Sequence, residues 1–378
     1  MIEKFKRLSF VLIAIIISYY PGVAQVDVES KTGYEFETIN SIDCTPVKSQ
    51  GRTGTCWSFA TSSFLESEII RKGKGYHDLS EMFVVRNVYR DKAKNYVLRH
   101  GKANFSQGSL AHDLINVANK YGIVPESVYS GKLDGAEKHN HSEMEAALKG
   151  MLDGILGRKN LSPKWAEAFD CVVDVYLGEM PEEFTYGGKT YTPQSYAESL
   201  DINPDDYINI TSYTHHPFYS QFVLEIPDNY SNGSFYNVPM KEMEAIVNHA
   251  VKNGYSIAWD GDVSEKGFSS KNGVAILPVD ANRDDLFENP GEEIKVTQEL
   301  RQSTFESYAT TDDHLMHLTG TAKDQKGNKY YLIKNSWGEV GEYDGFLYMS
   351  EAYFQLKTVS VMVHKDAIPK KIAKKMML

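Results

Sequence analysis

The period of the apolar residues changes once along this chain, near Gly254. Before that point they recur every three to four positions, the signature of amphipathic helices. Over residues 55–71, Phe59, Phe64, Leu65, Ile69 and Ile70 form one apolar stripe. Further helices are expected over 80–100, 109–121, 142–156, 163–177, 193–200 and 239–253, with Ser80 as an N-cap and Gly122 and Gly254 as stops. After Gly254 the apolar runs are short and rich in aromatic and β-branched residues. Residues 255–259, 314–321, 329–334, 346–349 and 359–364 read as strands, with Lys326-Gly327-Asn328 as a hairpin turn. A helical part followed by a sheet is an α+β layout in two lobes, and a groove between lobes is a common place for a site. The expected divisions are an export signal over 1–24, a lead-in segment over 25–44, a helical lobe over 45–129, a helical insertion over 130–212, a β-rich lobe over 213–366 and a basic tail over 367–378.

Composition narrows the class. The chain has 378 residues, 42% of them hydrophobic, enough to bury a sizeable core, and a formal net charge of -11. That charge repels phosphate backbones, so no nucleic-acid partner is expected. Three cysteines are too few for a disulfide framework. At the N-terminus, Lys4, Lys6 and Arg7 precede an apolar run over 8–20, then Pro21 and the small residues Gly22-Val23-Ala24. This pattern is that of a signal peptide cleaved after Ala24. The run falls short of the ~20 residues that span a bilayer. The expected product is exported, periplasmic or extracellular, and free of the membrane. The tail, with Lys365, Lys370, Lys371, Lys374 and Lys375, is expected to be a solvated, fraying helix.

Residues 45–60 carry the most chemistry. Cys56 stands where a Gly-containing turn becomes a helix, a place where unpaired N–H groups and the dipole favour thiolate over thiol. Gln50, six residues earlier, is an amide donor that can join the Cys56 backbone N–H in facing an oxyanion. Cys44 and Cys171 read as buried packing residues. A thiolate needs a proton shuttle held by a third group. Most of the eleven histidines lie in polar or helical contexts, but His314 and His317 share an expected strand, where three positions of separation send them to opposite faces. Only one of them can face Cys56. The next strand leads into Asn335-Ser336-Trp337-Gly338, where an Asn carbonyl can accept the imidazole N–H and Trp337 can shield that bond.

The pattern Gln-Gly-x-x-Gly-x-Cys-Trp-x-Phe, followed far downstream by His and then Asn-Ser-Trp-Gly, resembles the papain-like cysteine peptidases. The resemblance implies that Cys56 is the nucleophile, Gln50 the oxyanion donor, His314 the general base and acid, and Asn335 the residue that orients it. His314 is preferred to His317 because Gly320 follows it by six, as on the family's His strand. Leu79-Ser80-Glu81 is similar to a helix start of the family. Gly108, Trp57 and Trp337 are the implied substrate contacts, Gln107-Gly108 standing where the family places a Gly pair. Thr53 replaces the structural Cys of the secreted members, so their disulfide is absent. The gap from Cys56 to His314 far exceeds the ~130–150 residues of the papain group. This long gap, with Asp262-Val263, resembles the bleomycin hydrolase and aminopeptidase C branch. That likeness implies an aminopeptidase acting on peptides, a homo-oligomer (a hexameric ring) and no cofactor or metal. It also implies a C-terminal arm whose carboxylate captures the substrate amine, although the basic ending here departs from the branch. A papain-like endopeptidase and a non-catalytic peptide-binding module on the same fold are the alternatives.

Overall fold

The computed structural model describes residues 33–378, so the export signal expected over 1–24 lies outside the described residues. Strand β1 (Phe36–Ser41) precedes three helices, α1 (Cys56–Arg71), α2 (Glu81–Leu98) and α3 (Ala111–Tyr121). Next come α4 (Ser142–Leu156), α5 (Lys164–Leu177), the hairpin of β2 (Phe184–Tyr186) and β3 (Lys189–Tyr191), and α6 (Pro193–Ser199). Strands β4 (Tyr207–Thr211), β5 (Gln221–Val223) and β6 (Ser234–Asn237) lead to α7 (Met240–Lys252). The remainder is β7 (Ile257–Gly261), β8 (Phe268–Ser269), β9 (Val274–Ala275), α8 (Gln298–Glu306), β10 (His314–Asp324), β11 (Lys329–Lys334), β12 (Phe346–Ser350), α9 (Glu351–Lys357), β13 (Thr358–His364) and α10 (Lys370–Met376).

The layout is α+β, with one large sheet ordered β5-β6-β4-β13-β7-β10-β11-β12-β9-β8 and β1 paired to β10. Side chains alternate across it with period two. Ala258, Leu315 and Met362 join the core shared with the helices, while Trp259, Met316 and Val361 join a second core under α7. Between sheet and helices runs α1, buried from Cys56 to Ile69 rather than along a single stripe. A helix buried all round must satisfy its polar side chains internally. Accordingly, Ser58 Oγ donates to Glu81 O and Ser67 Oγ to Asp43 O. Ser80 caps α2 by accepting the Phe83 N–H at 3.0 Å, and Gly122 ends α3 with φ +81°, a region that L side chains rarely enter.

Four local expectations need correction. The lead-in contains β1, which runs beside β10 so closely that a Cβ on Gly320 would lie 2.5 Å from Asn40 O. The stretch 130–212 is not purely helical, since it holds the β2–β3 hairpin and ends in a strand of the main sheet. The β-rich part contains, besides the expected α7, the helices α8 and α9 between its strands. The basic tail is docked: Ile372 and Met376 are buried in the core under α7, and Lys375 pairs with Glu242. Its lysines occupy one face while its two apolar residues, four apart, share the other. Among the described residues, no helix is long and apolar enough to cross a membrane.

Candidate active site

A cleft of about 380 Å³ opens where the N-terminus of α1 meets the start of β10, and it is lined by Gln50, Thr53, Gly54, Cys56, Gly108, Ser109, Asp228, Asp312, Asp313, His314, Leu315 and Trp337. Sequence positions more than two hundred residues apart meet here because β10 packs along α1. The Leu315 backbone, next to His314, hydrogen-bonds the Cys56 sulfur.

Each group is held from behind. Asn335 Oδ1 lies 2.7 Å from His314 Nε2 and also accepts the Ser336 backbone N–H at 2.7 Å. A backbone N–H can only donate, so the atom it meets is the amide oxygen, and His314 must carry its proton on Nε2. Nδ1 is left with a free lone pair. The Trp337 ring covers His314 at a centroid distance of 4.8 Å and keeps water from the imidazole–amide bond. The Gln50 side chain is clamped at both ends: its Oε1 accepts from Ser336 Oγ at 2.7 Å and its Nε2 donates to Thr53 O at 2.7 Å. One N–H of that amide remains unassigned to a protein acceptor. Thr55, the N-cap of α1, makes no capping bond with its side chain, which leaves first-turn N–H groups for a ligand.

Burial dominates the electrostatics. It pushes the Cys56 thiol up to about 12, with Asp312, Asp228 and Asp260 adding to the effect and the Leu315 hydrogen bond opposing it. Burial likewise holds His314 down to about 4, against the Asn335 contact. Burial thus opposes the ionisation that the helix terminus is expected to favour. Each group alone stays neutral, and charge arises only when the proton passes from sulfur to imidazole as a pair. That transfer creates a nucleophile and an acid together.

Two more expectations are corrected. Trp57 is 1% exposed and cannot touch a substrate; its Nε1 donates to Gln107 O at 2.9 Å and so braces the wall that ends in Gly108. Cys171 is exposed on α5 rather than buried, whereas Cys44 is partly buried; all three cysteines are free. Gly108 and Trp337 line the cleft. Sequence reasoning missed the carboxylates of Asp228 and Asp312, which lie far apart in the chain and belong to no motif. It also missed that Gln107 holds the nucleophile loop, its Oε1 accepting the Gly54 N–H at 2.8 Å.

This architecture has known counterparts. The model of the Peptidase C1-like family matches residues 172–377, and that of the papain family of cysteine proteases matches residues 34–161. The chain belongs to the Peptidase C1-like family. It is a cysteine peptidase of papain type. Aminopeptidase G of Lactobacillus delbrueckii subsp. lactis is 25% identical, with 86% of this chain and 82% of that one aligned. Aminopeptidase C of Lactobacillus helveticus is 23% identical over 93% of this chain and 87% of its own length. The mitochondrial cysteine proteinase 1 of Saccharomyces cerevisiae is 21% identical, over 90% and 79% respectively. Among solved structures, PepW from Lactobacillus rhamnosis shares the fold, with a TM-score of 0.72 at 20% identity, covering 90% of this chain and 84% of that one. Peptidase C1-like chains thus provide the frame in which the cleft is read.

Proposed function

We propose that this Peptidase C1-like chain is an aminopeptidase of the bleomycin hydrolase type, with Cys56, His314, Asn335 and Gln50 as its catalytic residues. The observation that carries the catalytic assignment is the 2.7 Å bond from His314 Nε2 to Asn335 Oδ1, made in the same cleft as Cys56. It leaves Nδ1 to take the thiol proton. The thiolate attacks the peptide carbonyl, and the oxyanion is met by the Cys56 backbone N–H and the Gln50 amide. Imidazolium then protonates the leaving amine, and water hydrolyses the thioester with His314 as base. Aminopeptidase specificity is supported by the names of the relatives from Lactobacillus.

Purified protein should cleave aminoacyl amides with a free α-amine and leave N-acetylated ones, and an epoxide reagent directed at thiols should label Cys56. Preference for blocked peptides would replace this reading with that of an endopeptidase. One observation favours that rival: α10 packs under α7, and no residue of the tail lines the cleft. We also propose export, supported by the charge and apolar pattern of residues 4–24; N-terminal sequencing of the native protein, expected to begin at Gln25, tests it.

A further inference from the structure

An aminopeptidase must recognise a cation, because the α-amine of a peptide is protonated near neutral pH. In a groove this buried, the recognising group has to be an anion placed just beyond the residue that donates its carbonyl. Helix α10 does not offer such a group to the cleft, since Ile372 and Met376 bury it in the core under α7 and none of its residues lines the cleft.

We propose that the Asp228 carboxylate, seated over Gly108, is the anchor for the substrate's α-ammonium and the stop that limits cleavage to the first residue. The proposal rests on the aminopeptidase reading and names the residue that produces it. Three observations carry it. First, Asp228 lies against the wall where a substrate backbone is expected to run: a Cβ on Gly108 would come within 1.8 Å of Asp228 Oδ2. A peptide extending past its first residue would need that same space. Second, the carboxylate is held by a neutral donor rather than by a contact ion pair. Asn104 Nδ2 donates to Oδ1 at 3.0 Å, and Asp228 makes no ion pair among the described residues. The nearby Lys92 spends its ammonium on the Ser106 and Gly108 carbonyls, and Asp113 bonds Ser109. Third, the other buried carboxyl of the cleft is differently disposed. Asp312 faces Asp260, and burial with that neighbour raises its carboxyl; burial raises the Asp228 carboxyl as well, but there the positive charge of Lys92 opposes the rise and favours the anion.

The placement also ties recognition to chemistry. Asp228 is among the carboxylates whose charge opposes ionisation of Cys56. An ammonium bound to it cancels that charge, so a substrate with a free amine favours the thiolate that attacks it. A blocked peptide brings no such charge.

The test compares Asp228→Asn with the parent protein on two substrates, an aminoacyl amide with a free amine and its N-acetyl derivative. The parent should prefer the free amine, with kcat/KM falling at pH above about 8 as the amine loses its proton. In D228N, kcat/KM for the free amine should fall about 10²-fold. Activity on the acetylated substrate should rise, and the decline at high pH should disappear. Asn104→Ala, at a half-buried loop position, should give a loss of about 3–10-fold in the same selectivity and serves if D228N does not fold. A parent that prefers the acetylated substrate refutes the aminopeptidase reading itself. If the parent prefers the free amine and D228N keeps that preference, or loses both activities equally, the anchor is not Asp228.

Discussion

Two histidines enter β10 three residues apart, and their hydrogen bonds assign them the same tautomer but opposite uses of the Nδ1 lone pair. His314 donates from Nε2 to Asn335 and keeps Nδ1 open. His317 points toward α1, where its Nδ1 lies 2.8 Å from Ser63 Oγ. That hydroxyl already accepts from Lys334 Nζ at 2.8 Å, so its own proton goes to His317 Nδ1 and the imidazole proton sits on Nε2. One ring has a lone pair facing a cleft, the other has spent its lone pair inside the core. Burial lowers both pKa values, and for His317 the neighbouring Lys334 adds to the effect. The comparison teaches that a perturbed pKa marks burial, and that the hydrogen-bond partner decides whether burial serves chemistry or packing.

The largest effect that can break this contrast is on His314. His314→Gln should lower kcat by at least about 10⁴-fold with the protein still folded, as single-turnover kinetics would show; retained activity would remove the shuttle role. Asn335→Ala should cost about 10²-fold in kcat, with little change in KM, because the imidazole loses its fixed tautomer. Replacing His317 by Gln should leave kcat/KM within a few-fold and instead reduce stability by about 1–2 kcal/mol in urea unfolding. The same variant sharpens the comparison through pH. Folded His317 refuses a proton that the unfolded chain accepts below about 6.5, so stability declines as pH falls through that value. Removing the ring should flatten the slope below about pH 6.5 by up to about 1.4 kcal/mol per pH unit. Ser63→Ala should have the smallest effect, about 1 kcal/mol on stability and none on pH–rate profiles.

The helices with capped or glycine-stopped ends were the most legible parts of the chain. Residues 142–156 form α4 as the apolar spacing indicates, and Gly122 ends α3. Strands β5, β6, β8 and β9 escaped notice because each spans only two to four residues, too few for a period to register. The burial of α1 on every side escaped it too. Its Ser and Thr residues read as a polar face, yet Ser58 and Ser67 bond carbonyls of neighbouring segments and Ser63 bonds His317, contacts that no local pattern reveals.

Sequence alone determined which residue types stand at the turn into α1 and after β11, and so which chemistry was available: a thiol, an imidazole and two amides at recognisable spacings. Local order dictates such features because turns, caps and strand periods depend on near neighbours. Only the tertiary structure decided that Trp57 braces a wall instead of touching substrate, that Cys56 is buried in the cleft, and that Asp228 arrives beside Gly108. Those outcomes depend on packing and on charge in a low-dielectric cleft, both of which are set by residues distant in the chain.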